Sequence, residues 1–135
     1  MYVFLIAALV MDIIVCASAK GIFRRSRPAQ NASDMLTISV DKYSFPSGHA
    51  TRVAMCSCFL IWQFDLSHTV ACSIVVWAVI VCISRIMLGR HHVSDVIAGG
   101  LIGVLEYLVM NYIPIWLSVE SAGLIIRPIQ EELHL

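Results

Sequence analysis

At 135 residues, 59% of them hydrophobic and 13% charged, with a mean hydropathy of +0.85, the chain falls in the membrane class. Its formal net charge is zero, yet eight of its nine lysines and arginines lie between Lys20 and Arg90. The five cysteines (Cys16, Cys56, Cys58, Cys72, Cys82) are an odd number in apolar stretches, which excludes a disulfide framework or a metal site and makes them small hydrophobes.

The first apolar run, residues 1–19, is interrupted only by Asp12 and Ser18, and about 20 such residues cross a bilayer. Cleavage at Ala17-Ser18-Ala19 would leave Lys20 at a frayed terminus, so a retained helix is expected. Lys20-x6-Arg27-Pro28 follows, with Arg24 and Arg25 read as anchors drawn to anionic lipid. Asn31-Ala32-Ser33 is a glycosylation triplet. Pro46-Ser47-Gly48-His49 forms a turn opening the second apolar run, 50–66, which is short for a span. The third run, 69–88, is long enough and leads into Ser84-Arg85-x5-His91-x3-Asp95. The fourth, 93–117, carries Gly99, Gly100 and Gly103, small residues that let helices approach closely. The expected fold is all-α, a polytopic bundle of about four transmembrane helices over residues 1–117, with 118–135 as a surface tail.

Asp12 and Glu106 lie inside predicted spans, where an ionisable group is a functional candidate by default. Glu106 is eleven residues past Asp95, nearly the same helix face and about 16 Å deeper, where a buried hydrogen bond to a neighbouring helix is expected. His92 matches no motif position, and His68 and His134 fall in a loop and the tail.

The helix count makes a test. If the first helix ends at Lys20, the segment 20–49 lies on one side of the membrane. The second helix leaves that side, the short connection 63–68 lies opposite, and the third returns. All three motifs then share one membrane face.

Their chemistry suits a phosphate. Arg27 and Arg85 can each present a planar fork to phosphate oxygens, and Lys20 adds a point charge. Ser47 and Gly48 sit where a helix begins, and the backbone N–H groups and dipole there favour an anion. His91 and His49 can divide the work of nucleophile and general acid. Asp95, four residues after His91, would share its helical face and steady the imidazole.

Eleven positions in three blocks, within 20–28, 46–49 and 84–95, match in order the signature of the type 2 phosphatidic acid phosphatase (lipid phosphate phosphatase) superfamily. The stretch from Asp34 to Arg52, ending Phe45-Pro46-Ser47-Gly48-His49-Ala50-Thr51-Arg52, resembles more narrowly the polyisoprenoid diphosphate branch, similar to presqualene diphosphate phosphatase. The resemblance implies a metal-independent phosphohydrolase, without cofactor, working through a phosphohistidine. In that scheme His91 attacks phosphorus, Asp95 orients it and His49 protonates the leaving group, while Lys20, Arg27, Ser47, Gly48 and Arg85 hold the phosphate. Members usually have six transmembrane helices, so the chain is expected to lack the first two.

The expected partners are a lipid phosphate substrate and membrane lipids, with no nucleic acid. The positive-inside rule puts the motif face in the cytoplasm. The resemblance puts it on the lumenal side, in the endoplasmic reticulum or nuclear envelope, the only side where Asn31 could be glycosylated. Two other functions fit the same residues: a catalytically inactive membrane scaffold, and a vanadate-dependent haloperoxidase, a class expected to be soluble.

Overall fold

The computed structural model describes residues 2–28 and 42–112, with side chains from Phe4 onward. The Asn31 triplet, the end of the fourth predicted run and the 118–135 tail lie outside the described residues. Four α-helices follow in order: α1 (Tyr2–Phe23), α2 (Gly48–Gln63), α3 (His68–Met87) and α4 (Val93–Tyr112). The described residues contain no strand and are all-α, as expected.

Local chemistry sets the helix ends. α1 runs three residues past Lys20 because that lysine packs inward, 7% exposed, and does not break the helix. Arg24 ends it at a left-handed φ of 43°. Its N–H still reaches the Lys20 carbonyl at 3.0 Å, and its Nε donates to Gly21 O at 2.9 Å, satisfying last-turn carbonyls. α3 closes with Leu88 N–H on Ser84 O and Gly89 N–H on Ile86 O. Gly89 then takes φ 63°, a conformation that favours glycine, and the chain turns back into α4. At the start of α4, the Asp95 carboxylate accepts the His92 backbone N–H at 2.8 Å, the return half of a capping box.

α1, α3 and α4 are each long and apolar enough to cross a membrane, with mean hydropathies of 2.1, 2.4 and 1.7 over their spans. α2 has 16 residues, about 24 Å of helix against a hydrocarbon core of about 30 Å. Its shortness is tolerable because it packs between the other three, burying Ala50, Thr51, Val53, Met55, Ser57 and Phe59. α3 buries none of its residues and turns Val76, Trp77 and Ile80 outward, the surface a lipid environment accepts.

α2 meets α4 at very close range. A Cβ on Gly99 would lie 2.8 Å from Ser47 O, and one on Gly103 would collide with Thr51 O, so both glycines are fixed by helix approach. Gly100 faces open space and takes no part. α1 meets α2 through polar contacts: Arg52 Nε and Nη2 donate to Asp12 Oδ2 at 2.9 and 2.6 Å, and Cys16 Sγ lies 3.2 Å from Thr51 Oγ1. Asp12, fully buried, is thus half of an interhelical ion pair. Glu106 of α4, also buried, lies near enough to Asp12 to interact with its charge, but its carboxylate oxygens make no hydrogen bond among the described residues, so the buried bond expected of it is not formed. Away from the motifs, Ala8, Met55, Phe59, Tyr107 and Met110 form the apolar core.

Candidate active site

The alternating helix directions bring the three motifs to one end of the bundle. Lys20 is in the last turn of α1, Gly48 opens α2, Arg85 is in the last turn of α3, and His91 and Asp95 bracket the start of α4. The shared face expected from the helix count is therefore present. A pocket of about 200 Å³ opens there, and Lys20, Gly48, His49 and His91 all line it.

His91 is buried, and its Nδ1 lies 2.7 Å from the Ser44 carbonyl oxygen. A carbonyl only accepts, so Nδ1 carries the proton of this hydrogen bond. In the neutral ring Nε2 then keeps its lone pair, which suits a nucleophile. Burial lowers the His91 pKa below its ordinary 6.5, and the Arg27 and Lys20 cations push the same way; the Ser44 carbonyl and Asp95 oppose without reversing the direction. The imidazole is thus neutral at pH 7.

Asp95 does a different job from the one its spacing suggests. α4 begins at Val93, so His91 precedes the helix and the four-residue spacing puts no shared helical face between them. The fully buried Asp95 carboxylate instead takes Arg25 Nη1 at 2.7 Å and the His92 N–H at 2.8 Å, while its main-chain carbonyl accepts from Ser47 N–H at 3.1 Å. It ties the end of α1, the loop carrying His91 and the start of α2 into one unit. Ser44 supplies the hydrogen bond that orients the ring.

Arg25 is accordingly not a lipid anchor. Besides Asp95, its Nη1 donates to Ser94 Oγ at 2.7 Å, and its carbonyl accepts both the N–H and the hydroxyl of Ser44, at 2.9 and 3.3 Å. It joins the start of α4 to Ser44, whose carbonyl holds the His91 ring.

The remaining motif residues divide. Arg27 is close enough to His91 to affect its titration. Ser47 is fully buried and its N–H is committed to the Asp95 carbonyl, so that N–H is not available to an anion. The Ser47 hydroxyl has no hydrogen-bond partner among the described residues. Arg85 Nε donates to the adjacent Ser84 Oγ at 3.2 Å, and the guanidinium is not part of the pocket wall.

Sequence reading missed three residues. Ser44 acts through a main-chain carbonyl, which leaves no signature in side-chain type. Arg25 was masked by its neighbours in a basic run. Arg52 lines the same pocket, and its spacing of three from His49 on a helix was a usable signal.

Comparison with known proteins follows the same lines. The chain is 36% identical over 126 residues to a probable lipid phosphate phosphatase beta of Arabidopsis thaliana, covering 74% of this chain and 59% of the relative. It is 36% identical over 112 residues to sphingosine-1-phosphate phosphatase 1 of Rattus norvegicus, covering 78% of this chain and 25% of the relative. Among solved structures, the PAP2-type phosphatidylglycerolphosphate phosphatase of Bacillus subtilis superimposes with a TM-score of 0.65 at 27% identity, covering 81% of this chain and 56% of that one. LpxE of Aquifex aeolicus gives 0.64 at 25% identity, covering 79% and 64%. The chain thus spans less than two thirds of each of these proteins. With residues 1–117, and so every motif described above, matching the model of the PAP2 superfamily, the chain belongs to that superfamily.

Proposed function

We propose that this protein is an integral-membrane, metal-independent phosphohydrolase that removes the terminal phosphate of a lipid, either an isoprenoid diphosphate or a lipid monophosphate, through a phosphohistidine. The observation that carries the reading is the Nδ1–H of His91 held by the Ser44 carbonyl beside a pocket shared with Lys20 and His49. It commits Nε2 to a lone pair next to a cation and a second imidazole.

In this mechanism His91 Nε2 attacks phosphorus in line with the leaving oxygen. The P–O bond breaks, and the oxygen takes its electron pair and a proton from His49. Lys20 and Arg27 balance charge on the non-bridging oxygens, the Ser47 hydroxyl and the Gly48 N–H contribute donors at the start of α2, and Arg85, outside the pocket wall, is given the same charge-balancing role by the family resemblance. Water, deprotonated by His49, then cleaves the N–P bond, releases phosphate and restores both histidines. Asp95 keeps the His91 loop in register through Arg25 and His92 N–H.

The narrower branch, toward isoprenoid diphosphates in the endoplasmic reticulum or nuclear envelope, is supported by the stretch from Asp34 to Arg52. The test is phosphate release from farnesyl diphosphate by detergent-solubilised protein with EDTA present. Release should persist in EDTA and fall by about a thousandfold or more in His91→Ala, as expected when a covalent nucleophile is removed. Undiminished release by the variant would sink the assignment.

A further inference from the structure

The pocket beside His91 has two levels. α1 runs toward the site face and α2 away from it, so depth can be read along each helix. Lys20, His49 and His91 form the upper level, at the helix ends. Ile13, Cys16, Ala17 and Arg52 form the lower level, Ile13 about 10 Å below Lys20 and Arg52 about 4.5 Å below His49. The lower wall is apolar apart from Arg52 and the Cys16 thiol.

Arg52 is built into that wall. Fully buried Asp12 accepts from Nε and Nη2 through a single oxygen, at 2.9 and 2.6 Å, which fixes the guanidinium in place. The Arg52 side chain nonetheless stays 44% exposed. Of the five N–H donors of a guanidinium two go to Asp12, leaving three for the pocket. Interhelical pairing alone accounts for the Asp12 contact but not for a guanidinium set on the pocket wall one turn beneath His49.

A lipid substrate fixes what such a cation meets. Its tail must enter the bilayer, so groups nearer the tail lie deeper than the phosphorus under attack. In a lipid monophosphate the leaving group is an uncharged alcohol. In a lipid diphosphate it is a second phosphate, and that phosphate falls at the level of Arg52. Resting on the hydrolase reading above, we infer that Arg52, held by Asp12, binds the phosphate that leaves with the lipid and so makes the site selective for lipid diphosphates over lipid monophosphates. The step balances. The bond from His91 Nε2 to the terminal phosphorus forms, and the bridging P–O bond breaks. Its electron pair stays on the lipid monophosphate, His49 supplies the proton, and Arg52 neutralises the charge that develops there. Asp12 is a positioning residue, since it acts only through Arg52.

The experiment compares farnesyl diphosphate with farnesyl monophosphate, identical except for the second phosphate, using the whole chain in detergent. In Arg52→Gln the ratio of kcat/KM for diphosphate over monophosphate should fall about 10- to 100-fold, the range for losing hydrogen bonds to a charged group. Asp12→Asn should lower the same ratio by a smaller factor. Arg52→Lys, which keeps the charge without the fork, should fall between wild type and Arg52→Gln, and it serves if the glutamine variant does not fold. Equal losses on both substrates would reduce Arg52 to an interhelical ion pair, and an active wild type whose ratio the variants leave unmoved would overturn the inference alone. A wild type inactive on both substrates would overturn the hydrolase reading and this inference together.

Discussion

The protonation of His91 rests first on its burial, then on one main-chain carbonyl and two nearby cations. Because burial, Arg27 and Lys20 depress its pKa below 6.5, the ring is neutral and nucleophilic above that value and inactivated as pH falls through the lowered pKa. The acid limb of kcat/KM should therefore lie below pH 6.5. Arg27→Gln removes one depressing charge, so the limb should move to higher pH, with activity lost more steeply at pH 6 than at pH 8. A pH–rate profile of the two proteins checks this, and an unmoved limb would separate Arg27 from His91. Lys20, His49, His91 and Asp95 were legible in the sequence, because charge in so apolar a chain is conspicuous, whereas Arg25 and Arg52 did not stand out among the other basic residues. The partners that orient the legible groups were not legible either. Ser44 works through its carbonyl, and Asp95 changed partners because α4 starts two residues after His91.

The site exists because helix ends meet, and the close seam between α2 and α4 sets how tightly they do. Gly99 lies against Ser47 O and Gly103 against Thr51 O, directly behind the turn that carries Gly48 and His49. Gly99→Ala must push Ser47 outward or part the helices, disturbing the Ser47 N–H to Asp95 O bond at 3.1 Å. It should lower thermal stability by about 1–3 kcal/mol, the usual cost of overpacking, and reduce activity in parallel. Gly100→Ala meets nothing within 4 Å and should be neutral or mildly stabilising, since alanine suits a helix interior by about 1 kcal/mol. Thermal unfolding of both variants in detergent gives the comparison, and equal losses would show that the seam is not where the strain falls. Sequence spacing identified a small-residue seam but could not rank its three glycines, because which face of α4 meets α2 is a matter of tertiary packing. The helices themselves were legible from run length alone, and α1 outran its expected end only because Lys20 turns inward.

At the level of the whole molecule, the helix count correctly gathered the three motifs at one end, since alternating apolar runs leave few ways to cross a bilayer. Which side that end faces is a separate question, and the charge distribution does not decide it. The positive-inside rule concerns cations that are free to meet cytoplasmic lipid and so resist translocation. Most basic residues near the site face are engaged with the protein itself. Lys20 is buried, Arg24 holds a helix carbonyl, Arg25 holds Asp95 and Ser94, and Arg27 acts on His91. Arg52 is tied to Asp12. With that excess accounted for by structure, the rule loses its force, and we propose that the site faces the lumenal side, as the family resemblance implies. Asn31 follows Arg27 and precedes Ser47 in the chain, both at the site end of the bundle, so it reports on that side. Expression with microsomes should then give a glycan that endoglycosidase removes and that Asn31→Gln abolishes. A triplet engineered into residues 63–68, at the opposite end, should stay unmodified. Modification of the engineered triplet with Asn31 left bare would place the site on the cytoplasmic face, where the histidine chemistry would be unchanged but the lipid pool it meets would differ.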